Sequence, residues 1–195
     1  MRRLTVPALA AIVAFGTLPM IASAQAAQRF APSGRGTSAI ELMLPEGTPD
    51  SVKAPGVRVD HGQPHLRGRS LHQDSTFVPY DRVWRTGANA TSTFETDLPL
   101  RVGGATLPKG RYALFTLPSR TGWKLILQRD VGQTIADYDM KNDVVRVDMH
   151  RRELHTPVES LSMWLVPSTT AGAPGGELRI VWGTTELTTG FTVAQ

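Results

Sequence analysis

The sequence contains no cysteine. That excludes thiol nucleophiles, thiolate metal sites, iron–sulfur clusters and disulfide staples, so packing and hydrogen bonding must hold the chain by themselves. It also lacks a G-x-S-x-G elbow, a Ser-x-x-Lys set and a phosphate-binding P-loop, which leaves the common nucleophile and phosphate sites without support. No capped apolar helix of three turns can be drawn anywhere, and no long apolar run follows the first one. Neither sign of charge dominates: 21 Lys and Arg stand against 17 Asp and Glu, a formal net charge of +4.

At 195 residues the chain has the length of one domain and enough residues for a hydrophobic core. Arg2 and Arg3 precede a mostly apolar stretch from Leu4 to Ala22, which is followed by the small-residue triplets Ala22-Ser23-Ala24 and Ala24-Gln25-Ala26. This is the pattern of a secretory signal peptide over residues 1–26 and predicts an exported protein, periplasmic or secreted. Pro7, Gly16 and Pro19 interrupt the run and argue against a membrane anchor. Cleavage after Ala26 removes two arginines and no acid, so the net charge falls from +4 to +4 − 2 = +2. The high pI is then partly a property of the leader, and neither a nucleic-acid partner nor a membrane span is expected of the mature chain.

Residues 27–56 read as a flexible mature N-terminus with a possible first strand. Gln28 to Gly36 is Ala, Pro, Ser, Gly and Arg, and a short run from Ile40 to Leu44 ends at Pro45. Gly34-x-Gly36-x-x-Ala39 matches a relaxed dinucleotide fingerprint but has neither the preceding strand nor the following helix that would bring a helix N-terminus to a pyrophosphate. Residues 57–195 then alternate apolar and polar positions in short segments. These include Val57 to Asp60, Ser92 to Thr96, Leu98 to Val102, Trp123 to Gln128, Val145 to Met149, Leu161 to Leu165, Leu178 to Trp182 and Leu187 to Val193, while Arg111 to Leu117 is apolar on both faces and reads as a central strand. Gly103-Gly104, Pro108-Lys109-Gly110 and Ser119 to Gly122 mark turns. Val131 to Asp143 reads as a polar loop or short helical turn, and His150 to His155 as a charged surface turn before Pro157. The expected fold is an all-β antiparallel β-sandwich, jelly-roll-like or barrel-like, with about nine or ten short strands and little helix.

One stretch escapes the alternation. From Arg67 to Asn89 the chain gathers Arg67, Arg69, Arg82 and Arg85 with Tyr80 and Trp84 between prolines and glycines. Arg69, Tyr80, Trp84, Arg85 and Asn89 are the candidate ligand-binding residues: guanidinium forks for a carboxylate, phosphate or sugar hydroxyl, and flat aromatic walls beside them. The alternative is structural, with the arginines bonded to loop carbonyls and Trp84 plugging the core. His61, His65 and His72 are candidate metal ligands, provided three or four donors converge. Asp60, Asp74 or Asp81 with Arg85 could serve a hydrolase as acid or base and anion stabiliser. His150 to His155 matches neither H-E-x-x-H nor H-x-x-E-H.

The segments Pro64 with Gly68-Arg69, Val78-Pro79-Tyr80, Val83-Trp84-Arg85-Thr86-Gly87-Ala88-Asn89, Leu107 to Phe115, Trp123, Leu125-Ile126-Leu127, Tyr138-Asp139, Asp143 to Val147 and Pro157-Val158-Glu159 together resemble a bacterial family of exported proteins known as domain of unknown function 2911. The resemblance covers the chain from about Val57 to the C-terminus. It implies an exported β-rich domain and carries no activity with it. Where that family tends to place an aromatic residue and an Arg ahead of the Pro, this chain has His61 and Gln63, so the resemblance does not extend to a shared histidine metal site. With no intact catalytic motif, no catalytic residue and no cofactor are expected. The function expected is a non-catalytic module binding a small molecule or glycan; the alternatives are a hydrolase or a histidine-based metal-binding protein.

Overall fold

The computed structural model describes residues 30–72, 77–129, 131–132 and 134–194. The signal peptide expected over residues 1–26 lies outside the described residues. Among the described residues nine strands form one continuous antiparallel sheet: β1 (Gly34–Glu41), β2 (Gly56–Gln63), β3 (Ser92–Thr96), β4 (Leu100–Val102), β5 (Ala105–Leu107), β6 (Gly110–Pro118), β7 (Trp123–Gln128), β8 (Asp143–Pro167) and β9 (Gly175–Val193). Their spatial order is β1-β2-β3-β6-β7-β8-β9-β4-β5. Among the described residues helix is confined to 3-10 turns at Ile135–Asp137 and Met140–Asn142, inside the stretch read as a polar loop or short helical turn. No described helix is long and apolar enough to cross a membrane.

The sheet doubles over on itself. β1, β2, β3, β6, β7 and the first part of β8 make one layer; the second part of β8 with β9, β4 and β5 makes the other. Period-2 alternation supplies the inward face of each layer. Val57, Val59, Phe94, Tyr112, Leu114, Leu125, Leu127 and Val145 meet Leu100, Leu107, Leu161, Met163, Leu165, Leu178, Ile180, Leu187 and Phe191 in one buried core. β6 is apolar on both faces, as the run from Arg111 to Leu117 predicts, and β7 adds Ile126 to its outer face; Ala113, Phe115 and Ile126 form a small outer cluster under Val83, Leu117 and Tyr138.

The layers are also tied directly. The Leu165 N–H donates to Ser38 Oγ (3.0 Å) and the Met163 N–H to His61 Nε2 (3.2 Å). Just beyond β2, the Leu66 N–H donates to the Glu159 carbonyl (2.9 Å) and the Leu161 N–H to the Pro64 carbonyl (3.0 Å). The rolled sheet is thus nearly closed where the chain leaves β2.

Three elements differ from the sequence expectation. β1 starts at Gly34, inside the stretch read as flexible, and pairs along its length with β2. The glycine there answers a steric need, because a Cβ on Gly36 would meet His61 Cε1 at 2.8 Å. The charged segment from His150 is strand rather than turn: His150, Arg151, Arg152 and Glu153 pair with Thr188, Leu187, Glu186 and Thr185. The two short strands expected at Val145 to Met149 and at Leu161 to Leu165 are consequently parts of one 25-residue strand, and β9 likewise runs 19 residues. Charge on exposed positions does not oppose pairing, and Pro157 falls where the register shifts between Glu153 and Val158, so its missing N–H breaks no regular ladder.

Candidate functional site

The link between β2 and β3 is the irregular stretch singled out in the sequence, and it fills a gap in the first layer. β3 covers β6 only as far as Leu114. Beyond that point the linker takes over the β6 edge: the Trp84 N–H donates to the Thr116 carbonyl (2.8 Å), the Thr116 N–H to the Trp84 carbonyl (3.0 Å), and the Asp81 N–H to the Pro118 carbonyl (2.8 Å). This pairing packs the Trp84 ring against the core and leaves Arg85 exposed.

Four of the described non-glycine residues of the linker adopt the left-handed region: Arg67 (φ 51°), Asp81 (59°), Thr86 (50°) and Asn89 (61°). Thr86 is the least expected, since a β-branched side chain disfavours positive φ most. Such a residue is strained by about 1–3 kcal/mol and persists only where its surroundings over-determine it. Here they do. The Thr86 hydroxyl donates to the Trp84 carbonyl (3.0 Å) and shares a hydrogen bond with Thr116 Oγ1 (2.9 Å), while Ser92 Oγ donates to the Thr86 carbonyl (2.8 Å), all in buried surroundings.

The result is a cleft of about 480 Å³. Its apolar surface comes from Trp84 and Trp182, whose rings lie parallel (11°) with centroids 5.8 Å apart, and from Phe77, which meets Trp182 edge-on at 4.8 Å. Pro64, Pro79, Val83 and Ile135 complete the walls, and Arg82 and Arg85 are the charged lining residues. Trp182 is anchored by its indole N–H, which donates to the Glu159 carbonyl (3.0 Å). Trp123 meets Trp84 edge-on behind it. Trp84 is thus flanked by Trp123 and Trp182, and Trp182 is tied to the backbone of β8.

Of the five candidate residues, Trp84 and Arg85 line this cleft and the other three do not. The Arg69 guanidinium donates to the Leu66 and His65 carbonyls (2.9 and 3.0 Å) and lies over the Phe77 ring at 3.9 Å, so it braces a wall from behind. The Tyr80 ring stacks on His72 at 3.9 Å and has Arg120 near it at 5.0 Å. The Asn89 side chain donates to the Ser33 carbonyl (3.2 Å) and its carbonyl accepts from Arg85 (3.2 Å). Phe77, Arg82 and Trp182 complete the cleft without having been singled out. Phe77 and Arg82 sit in the right stretch, but nothing in their spacing marks them. Trp182 alternates within β9 and reads as an ordinary core residue.

The three histidines are held apart by separate partners. His61 is 2% exposed and takes the Met163 N–H on Nε2, which places its proton on Nδ1; that buried atom has no partner among the described residues. Burial pushes the His61 pKa down, against opposing contributions from Asp60 and the Leu161 backbone. His65 Nδ1 shares a hydrogen bond with Ser160 Oγ (2.7 Å), and His72 Nδ1 donates to the Val78 carbonyl (2.8 Å). Among the described residues no three His, Cys, Asp or Glu side chains converge on a point that could hold a metal.

The carboxylates considered for acid–base chemistry are likewise placed elsewhere. Asp60 accepts from Arg35 Nε and Thr37 Oγ1 (both 2.8 Å). Partial burial raises its pKa, but these partners outweigh it and hold the carboxyl below its ordinary value. Asp81 is exposed, Asp74 lies outside the described residues, and no carboxylate is among the described residues that line the cleft.

A family model described as "Protein of unknown function (DUF2911)" matches residues 46–191. The match includes β2 to β8, most of β9 and every residue lining the cleft. No curated protein and no solved structure matches this chain.

Proposed function

The chain belongs to the DUF2911 family, a family of unknown function, and from that premise we propose that it is a non-catalytic binding module that takes a small cyclic ligand in the cleft between the β2–β3 linker and β9. The observation carrying this is the half-buried Trp84 ring, backed by the buried Trp182, in a cleft of about 480 Å³ that Arg82 and Arg85 also line. Small-molecule sites are typically concave, mostly apolar and supplied with a few directional polar groups, and clefts of roughly 300–1,000 Å³ hold them. A sugar or aromatic ring has a flat apolar face that stacks on indole. Rigid walls reduce the ordering cost of binding. The strained Thr86 next to Arg85 belongs with this role, because backbone strain persists where geometry must be held.

The test is a titration followed by the indole resonances of a 15N-labelled protein, using a panel of monosaccharides, uronic acids and aryl acids. Ligands of the module shift the Trp84 and Trp182 indoles, and Trp84→Ala removes the response while the fold persists by circular dichroism. Shifts that cluster away from the cleft, or none with the whole panel, overturn the reading. Arg85→Ala separates binding from structure: loss of binding with an unchanged melting curve assigns Arg85 to the ligand, and unfolding assigns it to the fold.

A further inference from the structure

We infer that the ligand of this cleft is an anion: a small cyclic carboxylate or phosphate monoester whose ring packs on the half-buried Trp84 ring, with Trp182 buried beside it, while its charged group is gripped by Arg82 and Arg85. The inference rests on the binding reading above and narrows it to one chemical class. Charge carries it. The described lining contains two arginines and no acid, so nothing within the described cleft neutralises them. The ion pairs among the described residues join Arg35 to Asp60, Lys124 to Asp148, Arg146 to Asp143, Arg152 to Glu186, and Arg179 to Glu177 and Glu186; none takes Arg82 or Arg85. Arg85 donates through one Nη to the Asn89 carbonyl, which orients the guanidinium and leaves other N–H groups to give, since a guanidinium carries five.

The described acids nearest in sequence to lining residues accept hydrogen bonds from other groups, and no described acid forms an ion pair with Arg82 or Arg85. Asp137, on the same turn as the lining residue Ile135, has its Oδ2 committed to the Thr134 N–H (3.2 Å) and hydroxyl (2.8 Å). Glu159, whose carbonyl holds Trp182, accepts the Arg67 N–H on its carboxylate (2.8 Å). Arg69, by contrast with Arg85, commits its guanidinium to two carbonyls and to Phe77. The cleft thus offers exposed forked donors beside an apolar stack, and a carboxylate or phosphate matches such a fork with two parallel hydrogen bonds. A neutral sugar would stack equally well and leave that charge uncompensated. Another hollow of similar size, about 470 Å³, is lined by Ile40, Met43, Leu98 and Phe191 with Glu41 as its charged group, so it has no such preference.

The experiment uses ring-matched probes on the full-length protein: phenylacetate against phenylacetamide, phenyl phosphate against phenol, and methyl glucuronoside against methyl glucoside, all read at the Trp84 and Trp182 indoles. The acid member of a pair binds about ten-fold tighter or more. Arg82→Gln and Arg85→Gln each remove most of that preference without abolishing stacking of the neutral probe, and rising salt weakens only the anion. Trp84→Ala abolishes binding of both members. Equal binding of acid and neutral probes at Trp84 overturns the anion inference and leaves the binding reading standing. A preference that survives in both Arg variants overturns it as well, because the charge is then read elsewhere. Failure of every probe to reach Trp84 overturns both. Whether the carboxylate or the phosphate member of the panel binds tighter identifies which oxyanion the arginines fit.

Discussion

The guanidinium of Arg69 lies 3.9 Å from the centroid of the Phe77 ring. Phe77 in turn meets the edge of Trp182, so an arginine that never enters the cleft holds one of its walls between itself and a core tryptophan. Arg69→Lys keeps the charge but loses the planar fork that reaches the Leu66 and His65 carbonyls and stacks on the ring. It is expected to lower stability by about 1–2 kcal/mol in urea unfolding and to raise ligand Kd by loosening Phe77. Wild-type stability and affinity in that variant would show that Trp182 holds Phe77 unaided.

Stability should fall on mild acidification. His61 is held neutral by burial, with a pKa below the ordinary 6.5, and protonating Nε2 would set a second donor against the Met163 N–H. The unfolded chain binds the proton first, so the stabilisation is complete above about pH 6.5 and is lost as pH drops from there through the depressed native value. His72, also pushed down by burial, contributes with the same sign. Urea midpoints measured from pH 7.5 to 5 should decline in the wild type and flatten in part in His61→Gln and His72→Gln. An unchanged slope in both variants assigns the acid loss to other groups.

Gly62 has no room for a side chain, since a Cβ there would lie 1.9 Å from the Ala88 carbonyl oxygen. Gly62→Ala is expected at or beyond the upper end of the roughly 1–3 kcal/mol that overpacking costs, with a weakened cleft because Ala88 lines it. Gly122, with nothing within 4 Å of its would-be Cβ, is the control: Gly122→Ala should stay within about 0.5 kcal/mol. Similar unfolding midpoints for the two variants would contradict the close approach.

Glu186 has a side chain only 5% exposed between Arg152 and Arg179, whereas the Lys124–Asp148 pair stands open to water with side chains 42% and 83% exposed. Replacing both arginines by Met strands a buried carboxylate and is expected to destabilise by about 3 kcal/mol or more. Lys124→Met should change stability by no more than about 1 kcal/mol. Comparing the two by chemical denaturation at low and high salt checks the contrast.

Strands with one wet and one dry face were legible in the sequence because each needed only its own alternation, and β6 stood out as apolar on both faces. What was hidden depended on partners far along the chain. Gly34 and Gly36 look like loop residues until the pairing with Gln63 and His61 is known. His150 to Glu153 look like a surface turn until β9 supplies the other ladder. The candidate stretch was visible by composition, but its division into cleft and scaffold was not: Arg69 and Arg85 are the same residue type in the same linker, and only the carbonyls and rings they meet tell them apart. Trp182 and Ile135 reach the cleft from other segments, a proximity that no local pattern encodes.

The last strand of the chain hydrogen-bonds to a short hairpin strand from the middle of the sequence: Val193, Thr192 and Phe191 pair with Leu100, Arg101 and Val102, while β8 belongs to both layers. A chain still being synthesised can zip β2, β3, β6 and β7 together, yet its second layer is incomplete until Val193 has been made. Contacts this distant in sequence make for slow folding, and unpaired strand edges stay open to wrong partners in the meantime. The interval before the C-terminal strand arrives is therefore when this molecule is most exposed to aggregation, and a truncation of even the final few residues should be felt at β4, far back along the chain.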